Sequence, residues 1–322
     1  MPILGRRSFL FAALAGCSSA SKAPTKPARQ LPPDVRVERL TSLLTSVGLE
    51  WMVLARPESL LAIEWLRTPL ARLLRDDRLD MLARTTGIDL RQVPELVLAS
   101  YRSGANALVV RHRRKQIEIE RKFRERLTSE VTRSTEGHQL IGLWGRIGLS
   151  LRGFAAIGRD VVLFQYGGDQ RRGPARIALL YARGRLRSVP SAETLAAGEA
   201  PLKALLPGPF EGELARGARG LLAAAESVTA TLAPSERRTL RLQVLLAGDY
   251  ASHPDAKPFL EAAWSDLAKS DLGHLLGLHQ PVAAPEVTVD ASGLVLRAEL
   301  DPEHLLRGLA AATVDNVREI MR

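Results

Sequence analysis

Two halves of this chain place the same kinds of elements in the same order, which limits the folds that it can adopt. Residues 50–55 and 202–206 are short apolar runs, each followed by a proline, as expected of buried strands. A helical pattern, further strand patterns, and a hairpin followed by an amphipathic helix come after each run. The order predicts an α+β fold of two similar units, each an antiparallel sheet with helices packed on one face.

The second half contains the elements that matter most for a binding function. Its leucine and alanine spacing predicts one helix over residues 212–231 and another over residues 258–269. Val287 begins a strand that passes through a turn at Gly293 into a second strand, which predicts a hairpin. A last helix is predicted to begin at Pro302, since proline suits the first helical turn.

The N-terminus combines a basic start, a short apolar run and small residues placed directly before a cysteine. Arg6 and Arg7 precede an apolar run that ends in Leu-Ala-Gly-Cys, and Cys17 is the only cysteine of the chain. The run is shorter than the about 20 apolar residues that cross a membrane. It resembles the lipobox of a bacterial lipoprotein signal peptide.

This resemblance implies that Cys17 is acylated, with fatty acids such as palmitate, and becomes the first mature residue. The residues that follow Cys17 are rich in Ser, Ala and Pro, which is typical of an extended tether. The predicted division of the chain is a signal peptide at 1–16, a lipidated tether at 17–33, an α+β unit at 34–188, a linker at 189–200 and a second α+β unit at 201–322.

The export route and the membrane are predicted from the same N-terminal residues. Arg6, Arg7, Phe9 and Leu10 resemble the twin-arginine export motif, although two flanking residues depart from it. Paired arginines also serve as the basic start of a general secretion signal, so both routes stay open. The resemblance implies a cell-envelope protein, and Ser18 favours the periplasmic face of the outer membrane over the inner membrane.

Composition limits the chemistry that the exported body can carry. With Cys17 acylated, no thiol remains for disulfides, iron–sulfur clusters or cysteine-bound zinc. The net charge of +10 favours polyanions. An envelope location favours anionic lipid or glycan over nucleic acid as the partner. An arginine bias of a GC-rich genome explains the charge as well, because only 7 of the 45 basic residues are lysine.

One strongly basic segment, residues 111–126, is a candidate anion site. Its spacing predicts a helix that turns Ile119 toward the core and its arginines outward. Guanidinium groups bind phosphate in a bidentate manner. The candidate anion-binding residues are Arg113, Arg114, Lys115 and Arg121. The alternative is a solvated helix face stabilised by ion pairs between neighbouring turns.

Motifs for catalysis, metals and nucleotides are absent from the sequence. Neither a P-loop, nor a dinucleotide-binding glycine motif, nor a GxSxG nucleophile turn is present. His274 and His279 are five residues apart, unlike the four-residue spacing of a helical zinc site. The sequence therefore predicts no catalytic residue, no metal ligand and no cofactor, and hence a protein that is not an enzyme.

Three segments of the body resemble predicted lipoproteins of unknown function from myxobacteria and similar GC-rich bacteria. They are Thr-Gly-Ile-Asp-Leu at 86–90 with Pro-Glu at 94–95, Pro-Gly-Pro-Phe-Glu-Gly at 207–212 and Ala-Glu-Leu-Asp at 298–301. These motifs are turns and element boundaries. The resemblance implies export and no particular activity.

These observations leave three functional hypotheses. The first is a membrane-anchored scaffold, held by its N-terminal acyl chains, that binds another envelope protein. The second is a carrier of lipids or other amphiphiles, with a cleft walled by helices at 212–231 and 305–321. The third, a hydrolase, requires a cluster of polar residues that sequence does not reveal.

Overall fold

The fold comes from a computed structural model that describes residues 35–136, 139–184 and 200–321. The predicted signal peptide and tether, and residues 189–199 of the predicted linker, lie outside these residues. The described residues all belong to one compact unit. The division of the body at residues 189–200 stays a prediction.

The described chain forms one antiparallel sheet of twelve strands with helices packed on it, which confirms the predicted α+β class. The strands lie side by side in the order β11-β12-β10-β9-β8-β1-β2-β3-β7-β6-β5-β4. Their bounds are β1 Leu49–Ala55, β2 Glu95–Tyr101, β3 Asn106–Arg111, β4 Thr132–Glu136, β5 Leu140–Ile147, β6 Ser150–Ile157, β7 Val161–Tyr166, β8 Leu202–Pro207, β9 Ser227–Pro234, β10 Leu240–Ala247, β11 Ala283–Asp290 and β12 Gly293–Leu300.

The helices fall between these strands and after the last of them. Their bounds are α1 Pro57–Leu61, α2 Arg67–Leu73, α3 Asp76–Thr86, α4 Gln116–Glu125, α5 Pro174–Ala182, α6 Gly212–Ala215, α7 Ala256–Lys269, α8 Asp271–Leu275 and α9 Pro302–Met321. Short 3-10 turns lie at Leu40–Leu43, Glu64–Leu66, Leu90–Gln92 and Gly217–Ala224.

One strand pair, β1 with β8, joins the two halves of the chain. Met52 lies opposite Leu205, and Leu54 lies opposite Lys203, in an antiparallel ladder. On one side of this pair lies the hairpin β2–β3, followed by β7, the last strand of the first half. On the other side lies the hairpin β9–β10, followed by β12, the last strand of the second half. The halves share this order, and their origin as two similar units stays a prediction.

Helices cover both faces of the sheet in the first half, where the sequence predicted one. Val161 and Leu163 of β7 pack into a cluster with helix α5, whereas Val162 and Phe164 pack into a second cluster with helix α4. The reason lies in the sequence of β7, which is apolar at consecutive positions. Such a run is typical of a strand that is buried on both faces.

Helix α2 of the first half packs in the core of the second half. Leu66 and Leu70 join one apolar cluster with Leu305 and Leu306 of helix α9. The side chains of Arg72 in α2 and Glu303 in α9 form an ion pair beside this cluster. The two halves therefore share core residues as well as a sheet.

The predicted helix at residues 212–231 is wrong. Helix α6 ends at Ala215, a 3-10 segment covers Gly217–Ala224, and strand β9 begins at Ser227. The predicted hairpin is confirmed as β11–β12, and the helices predicted at 258–269 and from Pro302 are confirmed as α7 and α9. The spacing of apolar residues gave the wrong prediction for 212–231, because leucine and alanine that alternate with threonine also fit a strand.

Replacement of Phe154 by alanine tests the packing of the first half. Phe154 is fully buried, with its ring centroid 5.2 Å from that of Phe123 and 5.5 Å from that of Phe164. We expect Phe154→Ala to lower the free energy of unfolding by about 3–5 kcal/mol, because a large cavity remains. The measurement is urea unfolding of the full chain with Cys17→Ser, monitored by tryptophan fluorescence.

Leu149→Ala is the matched control, since the side chain of Leu149 is 94% exposed. We expect it to change the free energy of unfolding by less than about 0.5 kcal/mol. Equal effects of the two substitutions would contradict the packing described for Phe154.

Candidate functional site

An apolar cavity of about 470 Å³ lies in the second half, between the sheet, helix α7 and the 3-10 segment Gly217–Ala224. Twelve of its fourteen lining residues are apolar, and the other two are Arg219 and Asp266. Its volume is in the range of about 300–1,000 Å³ that is usual for small-molecule sites. We call this space the apolar cavity.

The sheet forms the first wall of the apolar cavity through one face of three neighbouring strands. Leu242, Val244 and Leu246 alternate along β10, so all three point to the same face. Val228 of β9 and Leu296 of β12 lie opposite members of this row and extend the wall. The wall is therefore continuous and carries no polar side chain.

Helix α7 forms the second wall. Leu260, Ala263, Trp264 and Leu267 are spaced by three and four residues, which places them on one face of the helix. Ala263 is small and stands between larger neighbours, so the helix leaves room beside the sheet. Leu267 is 41% exposed, and the apolar cavity opens to solvent on this side.

The third wall is the 3-10 segment, which contains an unusual backbone conformation. Ala218 and Arg219 have φ of 50° and 60°, in the left-handed region that non-glycine residues rarely occupy. Each such residue costs roughly 1–2 kcal/mol. The hydroxyl of the buried Tyr250 donates a hydrogen bond of 2.8 Å to the carbonyl oxygen of Leu221 and holds the segment. Backbone strain of this kind concentrates at ligand-binding sites.

An ion pair stands at the mouth of the apolar cavity. The Nη2 and Nε atoms of Arg219 lie 2.7 and 3.2 Å from Oδ2 of Asp266 on helix α7. Both side chains are at least half exposed. A pair in such a position contributes about 0–1 kcal/mol to stability, so it opens at little cost.

The predicted basic helix begins later than expected, and three of the four candidate anion-binding residues lie outside it. Strand β3 continues to Arg111, because its ladder with β7 runs to that residue, and helix α4 begins at Gln116. Arg113, Arg114 and Lys115 therefore lie in the loop before the helix. Ile119 is buried, as predicted.

Two of these candidate anion-binding residues form ion pairs with carboxylates of the chain. The guanidinium of Arg113 binds both carboxylate oxygens of Glu58, at 2.8 and 3.0 Å. On helix α4, the Nε atom of Arg121 lies 3.8 Å from a carboxylate oxygen of Glu125. This pairing agrees with the alternative of a solvated, ion-paired surface, and an anion site formed by all four residues stays a prediction.

The loop that carries Arg114 is held by a buried histidine. The Nδ1 atom of His112 donates to the carbonyl oxygen of Arg114 at 3.0 Å, and its backbone N–H donates to the Asp160 carbonyl at 2.7 Å. Burial lowers the pKa of His112 below its ordinary value of 6.5. A neutral imidazole is therefore part of the folded loop.

Two other histidines lie next to each other in the fold. The rings of His274 and His279 lie 4.3 Å apart between centroids, although their spacing predicted different helix faces. Among the described residues, no group of three or more His, Cys, Asp or Glu side chains is arranged to hold a metal ion.

The candidate residues of the export signal, Arg6, Arg7, Phe9 and Leu10, and the lipidation site Cys17 lie outside the described residues. Within the described chain, no helix has both the length and the apolar character needed to span a membrane. Neither a protein-family model, nor a curated protein, nor a solved structure matches the chain. The resemblance to bacterial lipoproteins stays a prediction that depends on the sequence motifs themselves.

Sequence reasoning missed the apolar cavity because it treated its third wall as part of a continuous helix. Two signals were present. Gly217 and Gly220 interrupt the leucine and alanine spacing, and residues 227–233 alternate small polar and apolar side chains as a strand does. Strand β12 and helix α7, which contribute to the other two walls, were predicted, whereas the first part of strand β9 lay within the wrongly predicted helix.

The buried His112 gives a pH dependence that can be measured. Because its pKa is lowered in the folded state, the unfolded chain binds a proton near pH 6.5 that the folded chain does not yet bind. We therefore expect the contribution of His112 to the free energy of unfolding to be complete above pH 6.5 and to decrease as the pH falls below that value. In urea unfolding at several pH values, His112→Gln should reduce this decrease. An identical pH dependence of the free energy of unfolding in the wild-type chain and in His112→Gln would contradict the role assigned to His112.

Proposed function

We propose that this chain is a membrane-anchored envelope lipoprotein, without enzymatic activity, whose folded body binds the apolar part of an amphiphile. The single observation that supports ligand binding is the apolar cavity. It is large, nearly all its lining is apolar, and it opens to solvent beside one charged pair. An engineered apolar cavity of about 150 Å³ already binds benzene, so a space about three times larger offers room for an alkyl chain.

The surface that a ligand buries sets an upper limit on the affinity. Each methylene group transferred from water contributes about 0.8 kcal/mol, so a chain of about ten methylenes contributes about 8 kcal/mol. This figure corresponds to a Kd of about 1 μM before the entropy lost on association is subtracted. We therefore propose a carrier that binds its ligand reversibly and releases it again.

The N-terminal motif supports the location of this carrier. Cys17 as the acceptor of acyl chains would hold the body near a bilayer, where amphiphiles are concentrated. More than one acyl chain is needed for stable anchoring, which the lipoprotein pathway supplies. The periplasmic face of the outer membrane is the favoured position.

A second candidate function, scaffolding, is supported by the opposite face of the same sheet. Thr229 and Thr231 of β9, Gln243 of β10 and Arg297 of β12 alternate with the residues that line the apolar cavity, so they point away from it. All four side chains are only partly buried in the described chain. A polar sheet face of this kind suits an envelope protein as a partner.

The carrier proposal predicts binding of an uncharged apolar probe. We expect 1-N-phenylnaphthylamine to gain fluorescence when it is titrated into the full chain with Cys17→Ser. Ala263→Phe should weaken the binding at least tenfold, because Ala263 lines the apolar cavity and a phenyl ring would fill part of it. Circular dichroism of the variant checks that the fold is intact.

Ala311→Phe is the matched control, since Ala311 is exposed on helix α9 and does not line the apolar cavity. We expect it to leave the affinity for the probe unchanged. Absence of probe binding by the parent protein, or equal losses in the two variants, would overturn the carrier proposal.

The anchoring proposal is tested separately in a bacterial host supplied with labelled palmitate. The wild-type chain should incorporate the label and sediment with the membrane fraction. Cys17→Ser should abolish both, because the thiolate sulfur accepts the lipid. Label incorporation that persists in Cys17→Ser would contradict lipidation at Cys17.

A further inference from the structure

We propose that the amphiphile carries an anionic head group, a carboxylate or a phosphate, and that Arg219 binds this group at the mouth of the apolar cavity. This inference rests on the proposed function, since it names the chemical class of the ligand that the same cavity takes. The observations that support it are the position of Arg219, the donors that it leaves open and the weakness of its ion pair.

Arg219 is the one cation among the residues that line the apolar cavity in the described chain. Ala218 and Arg219 have a left-handed backbone conformation, and the guanidinium of Arg219 binds Asp266 of helix α7 at the open side. A head group at this mouth therefore lies within reach of a single fixed positive charge, while the chain behind it contacts only apolar side chains.

The guanidinium keeps donors for a ligand even while Asp266 holds it. One carboxylate oxygen of Asp266 accepts from both Nε and Nη2, at 3.2 and 2.7 Å. Within the described chain, Nη1 donates no hydrogen bond. Since a guanidinium has five N–H donors, two of them on each terminal nitrogen, the Nη1 donors are open to an anionic oxygen.

The exposed position of the pair makes Arg219 available to an anion. The side chains of Arg219 and Asp266 are 50% and 61% exposed, so water screens their attraction. Guanidinium groups match the planar geometry of carboxylates and the oxygens of phosphates, and they bind both in bidentate fashion. Asp266 orients the guanidinium in the empty state and competes with the ligand for it.

The test compares head groups on one alkyl chain. Dodecanoate, 1-dodecanol and dodecylammonium are titrated as competitors of 1-N-phenylnaphthylamine on the full chain with Cys17→Ser. We expect Arg219→Gln to weaken the binding of dodecanoate about three- to fivefold, the size of effect that a charge pair screened by water produces. The same substitution should change the affinity for 1-dodecanol by less than about twofold, because the alcohol lacks the charge that Arg219 binds.

Two further variants sharpen the comparison. Arg216→Gln removes an exposed arginine from the same loop that does not line the apolar cavity, and it should leave dodecanoate binding unchanged. Asp266→Asn removes the competing carboxylate and should strengthen dodecanoate binding several-fold while 1-dodecanol stays unchanged. Added salt should weaken dodecanoate binding, because the mouth is open to solvent.

Different outcomes separate this inference from the proposed function. Equal losses of dodecanoate and 1-dodecanol in Arg219→Gln would overturn the inference, because Arg219 would then only maintain the wall. Tighter binding of dodecylammonium than dodecanoate, lost in Asp266→Asn, would overturn it in favour of a cationic head group. In both cases the apolar probe still binds and the carrier proposal stands, whereas failure of the probe itself would overturn both.

Discussion

The antiparallel pairing of β1 with β8 is the interaction on which the rest of this fold depends. Each of these strands would otherwise form the edge of a smaller sheet, with a row of backbone donors and acceptors left open. Their ladder turns two half-sheets into one sheet of twelve strands. Because β1 lies at this junction, the helices that follow it along the chain reach across to the second half.

This crossing has a consequence for the apolar cavity. Leu66 and Leu70 of the first half, with helix α9, fill one part of the apolar cluster on the second half of the sheet. Helix α7 and the segment Gly217–Ala224 cover the remaining part, and there the packing is incomplete. Protein interiors are close-packed, so an open apolar space of this size beside a strained turn is unusual. The ligand that we propose would supply the contacts that are missing there.

Much of the fold could be predicted from sequence, because the elements with strong periodicity or clear turn residues are local. The hairpin through Gly293 and helix α7 are examples, and both are found where their patterns indicated. Two failures have physical causes. Residues 212–231 carry helix-forming residues but are divided by left-handed backbone at Ala218 and Arg219. The basic run after Arg111 begins as a loop because the ladder between β3 and β7 extends to that residue. The apolar cavity itself depends on contacts between distant segments, which no local pattern records.

Ligand binding in the apolar cavity is tested most directly by locating a bound alkyl chain with isotope-filtered nuclear Overhauser measurements. The sample is the full chain with Cys17→Ser, with labelled methyl groups, and unlabelled dodecanoate as the ligand. We expect contacts from the methylenes of dodecanoate to the methyl groups of Leu242, Val244 and Leu260, all of which line the apolar cavity. Contacts confined to other methyl groups of the protein would contradict binding of the alkyl chain in the apolar cavity.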